Sequence, residues 1–281
     1  KHMKLTIVIP CYNEEKSILE FINSINNQTE FPDEFIVVDG GSTDDTVAIL
    51  NKELSKDLNF KIIVDKNCTI KYSKGPIAKG RNVAILNTSH EYILVTDAGC
   101  ILDNNWIKEM KKSFIEGQAD IVSGWYTANV TNDFQKEIAD IFCPSVKSIN
   151  KNNFLPSSRS LGFKKYLWKK VEGYPENSYT AEDTLFDLKI FALTNKIVFN
   201  EKAFVYWEVP KDNNELVTKL YQYGYGEGQQ KIFLMKNFLR LSFLIFFPIL
   251  LLLILAGKKK PSVFKFYFYQ IKGFIKGFID G

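Results

Sequence analysis

The sequence predicts an α/β fold with a mostly parallel central sheet, followed by a hydrophobic helical tail. Four apolar runs rich in β-branched residues lie at 5–10, 34–39, 60–65 and 91–97, as is typical of strands buried on both faces. Helix-length segments separate these runs, and that alternation favours parallel strands joined by crossover helices. The tail prediction rests on a run without charged residues at 241–257.

Capping residues predict where the helices between these strands begin. Asn13 can cap a helix that continues to about residue 25, and Ser42 or Thr43 can cap one that continues to about residue 54. Pro76 suits the first turn of a third helix that runs to about Leu86.

The same alternation continues after residue 97. It predicts a helix near 106–115, a strand at 119–126 and a helical stretch at 134–149. Polar runs then make 150–181 less regular, before a helix that begins near Glu182. We expect this half to form the acceptor side of the same domain, because no internal repeat or low-complexity linker divides the chain.

Composition and charge exclude several classes of protein. The chain has 281 residues and is 46% hydrophobic, which is enough for a sizeable core. It has 36 basic and 32 acidic residues, but without the tail 237–281 these numbers become 29 and 31, a net charge of −2. A nucleic-acid partner is therefore not expected. The four cysteines form no CxxC pair, which indicates reduced thiols rather than zinc ligands or disulfides.

The tail predicts membrane association. We place the catalytic domain at 1–236 and a membrane-associated tail at 237–281, and expect the protein at the cytoplasmic face of the cell membrane, since no signal-peptide pattern precedes the first strand. As a helix, 241–257 would reach about 25 Å, slightly less than the roughly 30 Å hydrocarbon core. Pro248 can kink it, so a crossing, a re-entrant segment and a hairpin all fit. A buried helix or an oligomer interface is the alternative, and the oligomeric state is left open.

Acidic residues follow the strands or begin a helix at three places. Asp39 and Asp97 end strands, and Glu182 and Asp183 stand at the start of a helix. Ligands of open α/β sheets bind beyond the carboxyl ends of the strands, so we expect these acids to share one pocket.

Residues near Asp39 suit a nucleotide. Tyr12 can stack on a base, Asp39 can accept a hydrogen bond from a base or ribose, and Gly41 permits a close backbone approach. The alternative is that Asp39 only caps the next helix. Lys79 and Arg81 can face a diphosphate, although a solvent-exposed basic helix face is an equal alternative. Neither GxxxxGK[ST] nor GxGxxG is present.

The other two acidic positions suit metal binding and proton transfer. Asp97 can bind Mn²⁺ or Mg²⁺ together with diphosphate oxygens, or it can be a structural residue at a strand end. Glu182 and Asp183 can take a proton from an acceptor hydroxyl, or they can be ordinary acids at a helix N-terminus.

Five motifs resemble family 2 glycosyltransferases with the Rossmann-like GT-A fold. They are IVIPCYNEE, FIVVDGGSTDDT, KGRNVAI, ILVTDAGC and the long segment SSRSLGFKKYLWKKVEGYPENSYTAEDTLFDLKI, in the order of that family over roughly 4–230. Each motif alone is weak, but the ordered set is specific.

The resemblance implies a role for individual residues. It makes Asp183 the catalytic base of an ED motif and Asp97 the first Asp of a DxD metal motif, whose second position is Gly99 here. Trp207 and residues 223–226 match positions that line the acceptor and diphosphate side. Nucleotide and diphosphate contacts match Pro10, Tyr12, Glu14, Asp39, Lys79 and Arg81.

The implied activity is sugar transfer with inversion from a nucleoside diphosphate, with uracil favoured as the base. The expected acceptor is a hydroxyl or phosphate of a glycan or lipid-linked molecule used in cell-surface glycan biosynthesis. One alternative is a catalytically silent nucleotide-sugar-binding or scaffold protein at the membrane, which the glycine at position 99 favours. A sugar nucleotidyltransferase is disfavoured, because PCYNEE is not its Gly-rich, Arg-containing loop.

Overall fold

The computed structural model describes residues 3–143, 145–150, 154–246, 251–252, 255–257 and 262–281. The chain forms two compact units. The first comprises Lys1–Asn129 and Ala139–Glu208, and the second comprises Val130–Ile138 and Val209–Gly281.

Eight strands form one sheet in the first unit. They are β1 Leu5–Cys11, β2 Glu34–Asp39, β3 Phe60–Val64, β4 Tyr92–Val95, β5 Cys100–Leu102, β6 Ile121–Asn129, β7 Leu161–Lys164 and β8 Ile197–Glu208.

Ten helices of the described residues accompany the sheet and build the second unit. They are α1 Ile18–Asn26, α2 Thr46–Glu53, α3 Pro76–Leu86, α4 Trp106–Glu116, α5 Asp133–Phe142, α6 Lys165–Lys170, α7 Glu182–Phe191, α8 Asn213–Gln229, α9 Leu234–Ile245 and α10 Ser262–Asp280.

The strand order is β3-β2-β1-β4-β7-β6-β8-β5. The first four strands in this order, β3, β2, β1 and β4, are parallel to one another, as the βαβ alternation predicts. Beyond β4 the sheet is mixed, since β7 is antiparallel to β4 and β6, β5 is antiparallel to β8, and only β6 with β8 is parallel. The α/β prediction is confirmed, and the part of the sheet beyond β4 adds antiparallel strands that the pattern did not specify.

The central strands are buried on both faces because helices cover the sheet on each side. Val8, Ile36 and Ile93 have no exposed surface and pack with Phe163 and Phe186 in a continuous core. A core of this kind fixes the register of β1, β2 and β4, whose carboxyl ends therefore open at one edge of the sheet.

Two predicted helix starts were wrong. The first helix begins at Ile18, not after Asn13, and the second begins at Thr46, with Asp45 rather than Ser42 before it. Asn13 has a positive φ of 56°, and its side-chain oxygen accepts a hydrogen bond from the Thr43 backbone N–H at 2.8 Å. The polar residues that resembled caps instead hold two loops together.

In the second unit, α8 and α10 pack with almost no space between their backbones. A Cβ atom added at Gly224 would lie 1.9 Å from the Gln270 carbonyl oxygen, and one at Gly277 would lie 2.0 Å from that of Tyr225. Only glycine permits this approach, which resembles the small-residue contacts of closely packed helix pairs.

A buried polar cluster joins three helices of this unit. Glu227 of α8 accepts hydrogen bonds from Asn237 at 2.8 Å and Arg240 at 3.1 Å, both on α9, and from Gln270 of α10 at 3.2 Å. All four side chains are buried. Each polar group therefore depends on the others for the partners that water would otherwise provide.

The predicted tail is only partly covered by the described residues. Positions 247–250, 253–254 and 258–261, which include Pro248 and Lys258–Lys260, lie outside them. Within the described parts of the chain, no helix has both the length and the apolar composition needed to cross a bilayer. Membrane association of 237–281 and the division at 236 therefore stay predictions.

Candidate active site

The loops after β1 and β2 are tied together at the carboxyl edge of the sheet. Asp39 has no exposed surface. Its Oδ1 accepts hydrogen bonds from the backbone N–H groups of Gly41 and Ser42 at 2.8 Å each, and the Ser42 hydroxyl donates to Oδ2. The carboxylate thus organises the turn that follows β2, and its predicted contact with a nucleotide stays a prediction.

Tyr12 lies beside this turn with 46% of its surface exposed, so its ring is available to a ligand. A Cβ at Gly40 would lie 2.8 Å from the Cys68 carbonyl oxygen and 3.3 Å from Tyr12. Gly41 has a positive φ of 83°, a conformation that favours glycine. The two glycines allow the chain to pass closely under an exposed aromatic ring, which suits the base-stacking role predicted for Tyr12.

Helix α3 approaches β1 through a glycine. A Cβ at Gly80 would lie 2.9 Å from the Pro10 Cβ, so this contact sets the residues on either side of Gly80 against the end of β1. Lys79 lies near Cys68, and its charge lowers the pKa of that thiol, although burial raises the pKa overall to about 12. Pro10 and Lys79 are therefore close to the same turn as Tyr12.

Arg81 is the link between the acids of the site. Its side chain is only 3% exposed, and it donates from Nη2 to Asp97 Oδ1 at 2.6 Å and from Nη1 to Glu182 Oε1 at 2.9 Å. Burial alone would lower the pKa of the guanidinium, but Asp97 and Glu182 raise it well above its usual value. One cation therefore brings the end of β4 and the start of α7 into a single cluster.

The start of α7 carries two acids in different environments. Burial and the neighbouring Asp183 raise the pKa of Glu182 to about 7, while Arg81 acts in the opposite direction. Asp183 is half-buried and accepts a hydrogen bond from the Thr184 backbone N–H at 2.8 Å through Oδ1. Glu182 faces the buried cation, which leaves Asp183 as the acid with access to a substrate.

Glu14 belongs to the same electrostatic environment. Burial raises its pKa, and Asp97 raises it further, while a hydrogen bond from the Ser17 hydroxyl at 2.6 Å lowers it. The Glu14 backbone N–H donates to Thr46 Oγ1 at 2.8 Å, which fixes the loop on α2. Glu14 and Asp97 are thus near each other, as one site requires.

A layer behind the acids was not predicted from the sequence. The Tyr174 ring lies under the Arg81 guanidinium at 5.3 Å and stacks on Phe186 at 3.8 Å. Asn82 accepts hydrogen bonds from the Tyr174 N–H and Trp168 Nε1 at 2.8 and 2.9 Å. The only sequence signal was the Gly-Tyr-Pro turn before α7, which indicated a turn but no partner for it.

Trp207 lies on β8 and pairs with Cys100 of β5. Cys100 follows Asp97 by three residues in the sequence. Its ring is 7% exposed, and the Arg159 guanidinium stacks on it at 3.8 Å. Phe142 contacts the ring edge-on at 5.9 Å. Trp207 is therefore mostly enclosed, and its predicted place on the acceptor side stays a prediction.

The site offers little to a metal ion from its own residues. Asp97 is a third exposed, but its Oδ1 is paired with Arg81. Among the described residues no group of three or more His, Cys, Asp or Glu side chains is placed to hold a metal ion. Asp97 fits as one ligand, not as part of a protein cage, so the prediction of Mn²⁺ or Mg²⁺ depends on oxygens of a bound diphosphate.

The structure brings the predicted residues to the same edge of the sheet in two groups. Arg81, Asp97, Glu182 and Asp183 form one cluster, with Glu14 close to Asp97. The second group surrounds the turn after β2, and its members are Pro10, Tyr12, Asp39, Gly41 and Lys79.

Comparison with protein families gives a match over most of the first unit. Residues 6–201 match the model described as Glycosyl transferase family 2. Poly(ribitol-phosphate) beta-N-acetylglucosaminyltransferase TarS of Staphylococcus aureus is 31% identical over 214 residues, which are 73% of this chain and 35% of TarS. The chain thus spans about a third of the length of this relative.

Solved structures agree. The S. aureus TarS 1–349 complex with UDP-GlcNAc matches with a TM-score of 0.58 and 26% identity, over 79% of this chain and 65% of that one. The mannosyltransferase PcManGT of Pyrobaculum calidifontis matches over 99% of this chain and 87% of that one, with a TM-score of 0.70. At 18% identity this second likeness shows the fold alone. The family match, which covers more than half of the chain, shows that this chain belongs to glycosyl transferase family 2.

Proposed function

We propose that the enzyme transfers a sugar with inversion from a nucleoside diphosphate, with a UDP-sugar favoured, to an acceptor hydroxyl or phosphate. The observation that carries this proposal is the Arg81 bridge, which joins Asp97 to Glu182 and so places Asp183 beside the residue assigned to the diphosphate. The UDP-GlcNAc complex of TarS supports the choice of donor class.

The reaction follows from the positions of the acids. The acceptor oxygen attacks the anomeric carbon while the bond from that carbon to the diphosphate oxygen breaks, and its electron pair leaves with the nucleoside diphosphate. Asp183 takes the acceptor proton, because it is the accessible acid of the pair, whereas Glu182 faces Arg81. Arg81 keeps Asp97 and Glu182 in fixed positions and provides positive charge near the leaving group.

The donor would occupy the edge formed by the turn after β2 and the start of α3. Tyr12 would stack on the base, and Asp39 and Gly41 would shape the backbone beneath it. Mn²⁺ or Mg²⁺, held by Asp97 and the donor's own oxygens, would supply positive charge to the diphosphate.

For the acceptor we propose a polymer or lipid-linked glycan of the cell surface. The support is the activity of TarS, which is a poly(ribitol-phosphate) beta-N-acetylglucosaminyltransferase. The O-antigen chain rhamnosyltransferase RfbN of Salmonella typhimurium is 25% identical over 72% of this chain and gives further support.

We further propose that 237–281 attaches the enzyme to the cytoplasmic face of the membrane. The support is local: α9 and α10 expose large apolar side chains, among them Phe238, Phe243 and Ile279. Lys272 and Lys276 are exposed on α10. Exposed aromatic and aliphatic groups with lysines nearby suit the interface of an anionic bilayer.

The test of the proposed activity is acceptor-dependent release of UDP from UDP-GlcNAc by the full chain. Asp183→Asn should lower kcat by about 100- to 10,000-fold, because it removes the general base, and should leave the dissociation constant for UDP nearly unchanged. Asp57→Asn, at an exposed position in the first unit, is the matched control and should retain full activity. Turnover by Asp183→Asn at the rate of the unsubstituted enzyme would contradict the assignment.

A silent sugar-nucleotide-binding protein is the second candidate. The glycine at position 99, where the family resemblance expects a carboxylate, favours it. Calorimetric binding of UDP-GlcNAc without UDP release, with polyol-phosphate and glycolipid acceptors both present, would support this candidate against transfer.

A further inference from the structure

Asp187 is a buried acid in α7 that the proposed reaction does not use. It has no exposed surface, and neither of its carboxyl oxygens has a hydrogen-bond partner among the described residues. It stands four residues after Asp183, so the two side chains lie on the same face of the helix. An acid without a hydrogen-bond partner among the described residues, one turn after the proposed base, calls for a functional explanation.

An ionised carboxylate in this position would be costly. Removing a charge from water without a compensating partner is expensive, and a buried acid responds by keeping its proton. Burial accordingly raises the pKa of Asp187 well above its usual value, and Asp183 and Glu182 raise it further, while Arg81 acts in the opposite direction. Asp187 therefore keeps its proton to a higher pH than an ordinary aspartate does.

The charged and titratable groups around Asp187 come from three places. Glu182 and Asp183 lie on its own helix, Arg81 comes from α3, and Tyr174 comes from the loop before α7. The Tyr174 hydroxyl is bonded to Ser158 Oγ at 3.1 Å. Arg81 uses Nη1 and Nη2 for Glu182 and Asp97, but its Nε is buried and has no partner within the described part of the chain.

In this arrangement the Arg81 guanidinium has two competing sets of acidic partners, Asp97 with Glu182 and, when it is ionised, Asp187. With Asp187 uncharged, the guanidinium binds Asp97 and Glu182 and lies toward the diphosphate side. An ionised Asp187 would attract the same guanidinium through the unused Nε–H, because a charge-assisted bond is stronger than a neutral one. It would also add a negative charge to a cluster in which a single arginine is paired with two acids.

We propose that Asp187 is a positioning residue for donor binding: as an uncharged acid it leaves Arg81 directed toward Asp97, and the loss of its proton weakens binding of the nucleoside diphosphate. It acts through Arg81 and Asp183 and touches no substrate. This inference rests on the proposed function, because it assumes that the diphosphate is bound beside Arg81 and Asp97.

The first test measures the dissociation constant of the full chain for UDP by calorimetry across pH. As the pH is raised, the constant of the unsubstituted enzyme should increase at least about fivefold more than that of Asp187→Asn, which cannot ionise, as expected for one added charge near a diphosphate. If Asp187 had only a structural role, its substitution would change the dissociation constant for UDP by the same factor at every pH. Equal pH dependence in the two proteins would overturn the inference.

The second test begins with the unsubstituted enzyme, so its first readout does not depend on whether an Asp187 variant folds. If binding requires a protonated Asp187, UDP binding near the alkaline end of the range must take up a proton. The heat of binding would then differ between buffers of different ionisation enthalpy. The uptake should persist in Glu182→Gln and be absent in Asp187→Asn, and heats independent of the buffer would overturn the inference.

The two proposals fail in different ways. If neither UDP nor GDP binds at any pH, the donor site and this inference are both wrong. If UDP binds and Asp183→Asn loses turnover, but Asp187→Asn follows the same pH curve as the unsubstituted enzyme, only the inference about Asp187 is wrong. Asp57→Asn is again the matched control and should follow the unsubstituted curve.

Discussion

Glu182 is a buried acid whose protonation should change near neutral pH. The stability of the chain should therefore depend on pH in that range. Its pKa is raised from 4.5 to about 7 in the folded protein. A group with a raised folded-state pKa contributes stability that is complete below its unfolded pKa and is lost as the pH rises through the folded value. Stability should therefore fall between about pH 4.5 and pH 7, by an amount on the order of 3 kcal/mol.

Urea unfolding of the unsubstituted enzyme and of Glu182→Gln at several pH values checks this expectation. Gln cannot ionise, so its stability curve should be flatter across the same window. The quantity to compare is the slope of the unfolding free energy against pH. The absolute stability is less informative, because Gln also changes the hydrogen bond from Arg81. Parallel curves for the two proteins would show that Glu182 does not titrate there.

Gly99 is a position where the sequence departs from the motif but the structure leaves room for it. A Cβ atom at Gly99 would have no atom within 4 Å, and the backbone there does not require glycine. We expect Gly99→Asp to fold normally and to bind Mn²⁺ more tightly in the presence of UDP, by about tenfold, because a second hard oxygen ligand joins Asp97.

Electron paramagnetic resonance of Mn²⁺ with UDP and the full chain gives the affinity directly. Gly99→Asn is the matched control, since it adds similar volume with no charge. If Gly99→Asp binds Mn²⁺ no better than Gly99→Asn, position 99 does not face the diphosphate.

The site residues differ in how far a sequence can identify them. Asp97 and Asp183 lie in motifs whose position after a strand or at a helix start is visible in the sequence. The partners of Arg81 are not, because they depend on which helix packs beside α3. Arg81 is buried against two acids, so the alternative of a solvent-exposed basic helix face is wrong for this residue, while its contact with a diphosphate stays a prediction. Asp187 gave no signal, since its burial follows from the packing of α7.

At the scale of secondary-structure elements, local patterns were sufficient for the parallel half of the sheet. The segment 34–39 and the helix from Pro76 to Leu86 agree with the structure at both ends. The predicted helix at 134–149 instead ends at Phe142. The antiparallel pairings of β7 and β8 join segments far apart in the sequence, and a single sequence carries no signal for such pairings.

The glycine contact between α8 and α10 makes a prediction about this pair of helices. Gly277→Ala would place a methyl group 2.0 Å from the Tyr225 carbonyl oxygen, which is fixed in a helix. The helices would have to separate, and we expect a loss of about 3 kcal/mol of stability, at the upper end for one added methyl group. Thermal unfolding by circular dichroism measures it.

Lys272→Ala, at an exposed position of the same helix, is the control and should unfold at nearly the temperature of the unsubstituted enzyme. A Gly277→Ala variant as stable as Lys272→Ala would mean that the two helices do not approach closely at this position.

At the scale of the whole molecule, the second unit changes how the membrane proposal should be tested. Removal of 237–281 would leave α8 without α10, and Glu227 without Asn237, Arg240 and Gln270. Loss of lipid binding by such a truncated chain could then reflect misfolding. Substitution of exposed side chains in the full chain is the sharper experiment.

Phe278 and Ile279 are exposed apolar residues of α10. Changing both to Ser should lower the fraction that sediments with vesicles of anionic phosphatidylglycerol by severalfold, because each buried apolar side chain adds about 1.5–3 kcal/mol to transfer from water. The folded content should be unchanged, since neither side chain is enclosed.

Leu86→Ser provides the matched control. Leu86 is 65% exposed on α3 of the first unit and lies far from the tail in sequence. Its substitution should leave sedimentation with lipid unaltered. If the unsubstituted enzyme, the double variant at Phe278 and Ile279, and Leu86→Ser all bind vesicles equally, attachment through α10 is contradicted. If the unsubstituted enzyme binds neutral phosphatidylcholine vesicles as well as anionic ones, the role of the lysines of α10 is contradicted.

The contact between α8 and α10 also bears on synthesis of the chain. The ribosome synthesises α8 before α10. The glycine side of α8 and the carboxylate of Glu227 therefore lack their partners until the nineteen residues of α10 have left the ribosome. A nascent or prematurely terminated chain would carry an unpaired acid beside a flat helical surface. Chains that lack α10 should therefore be degraded by quality-control proteases.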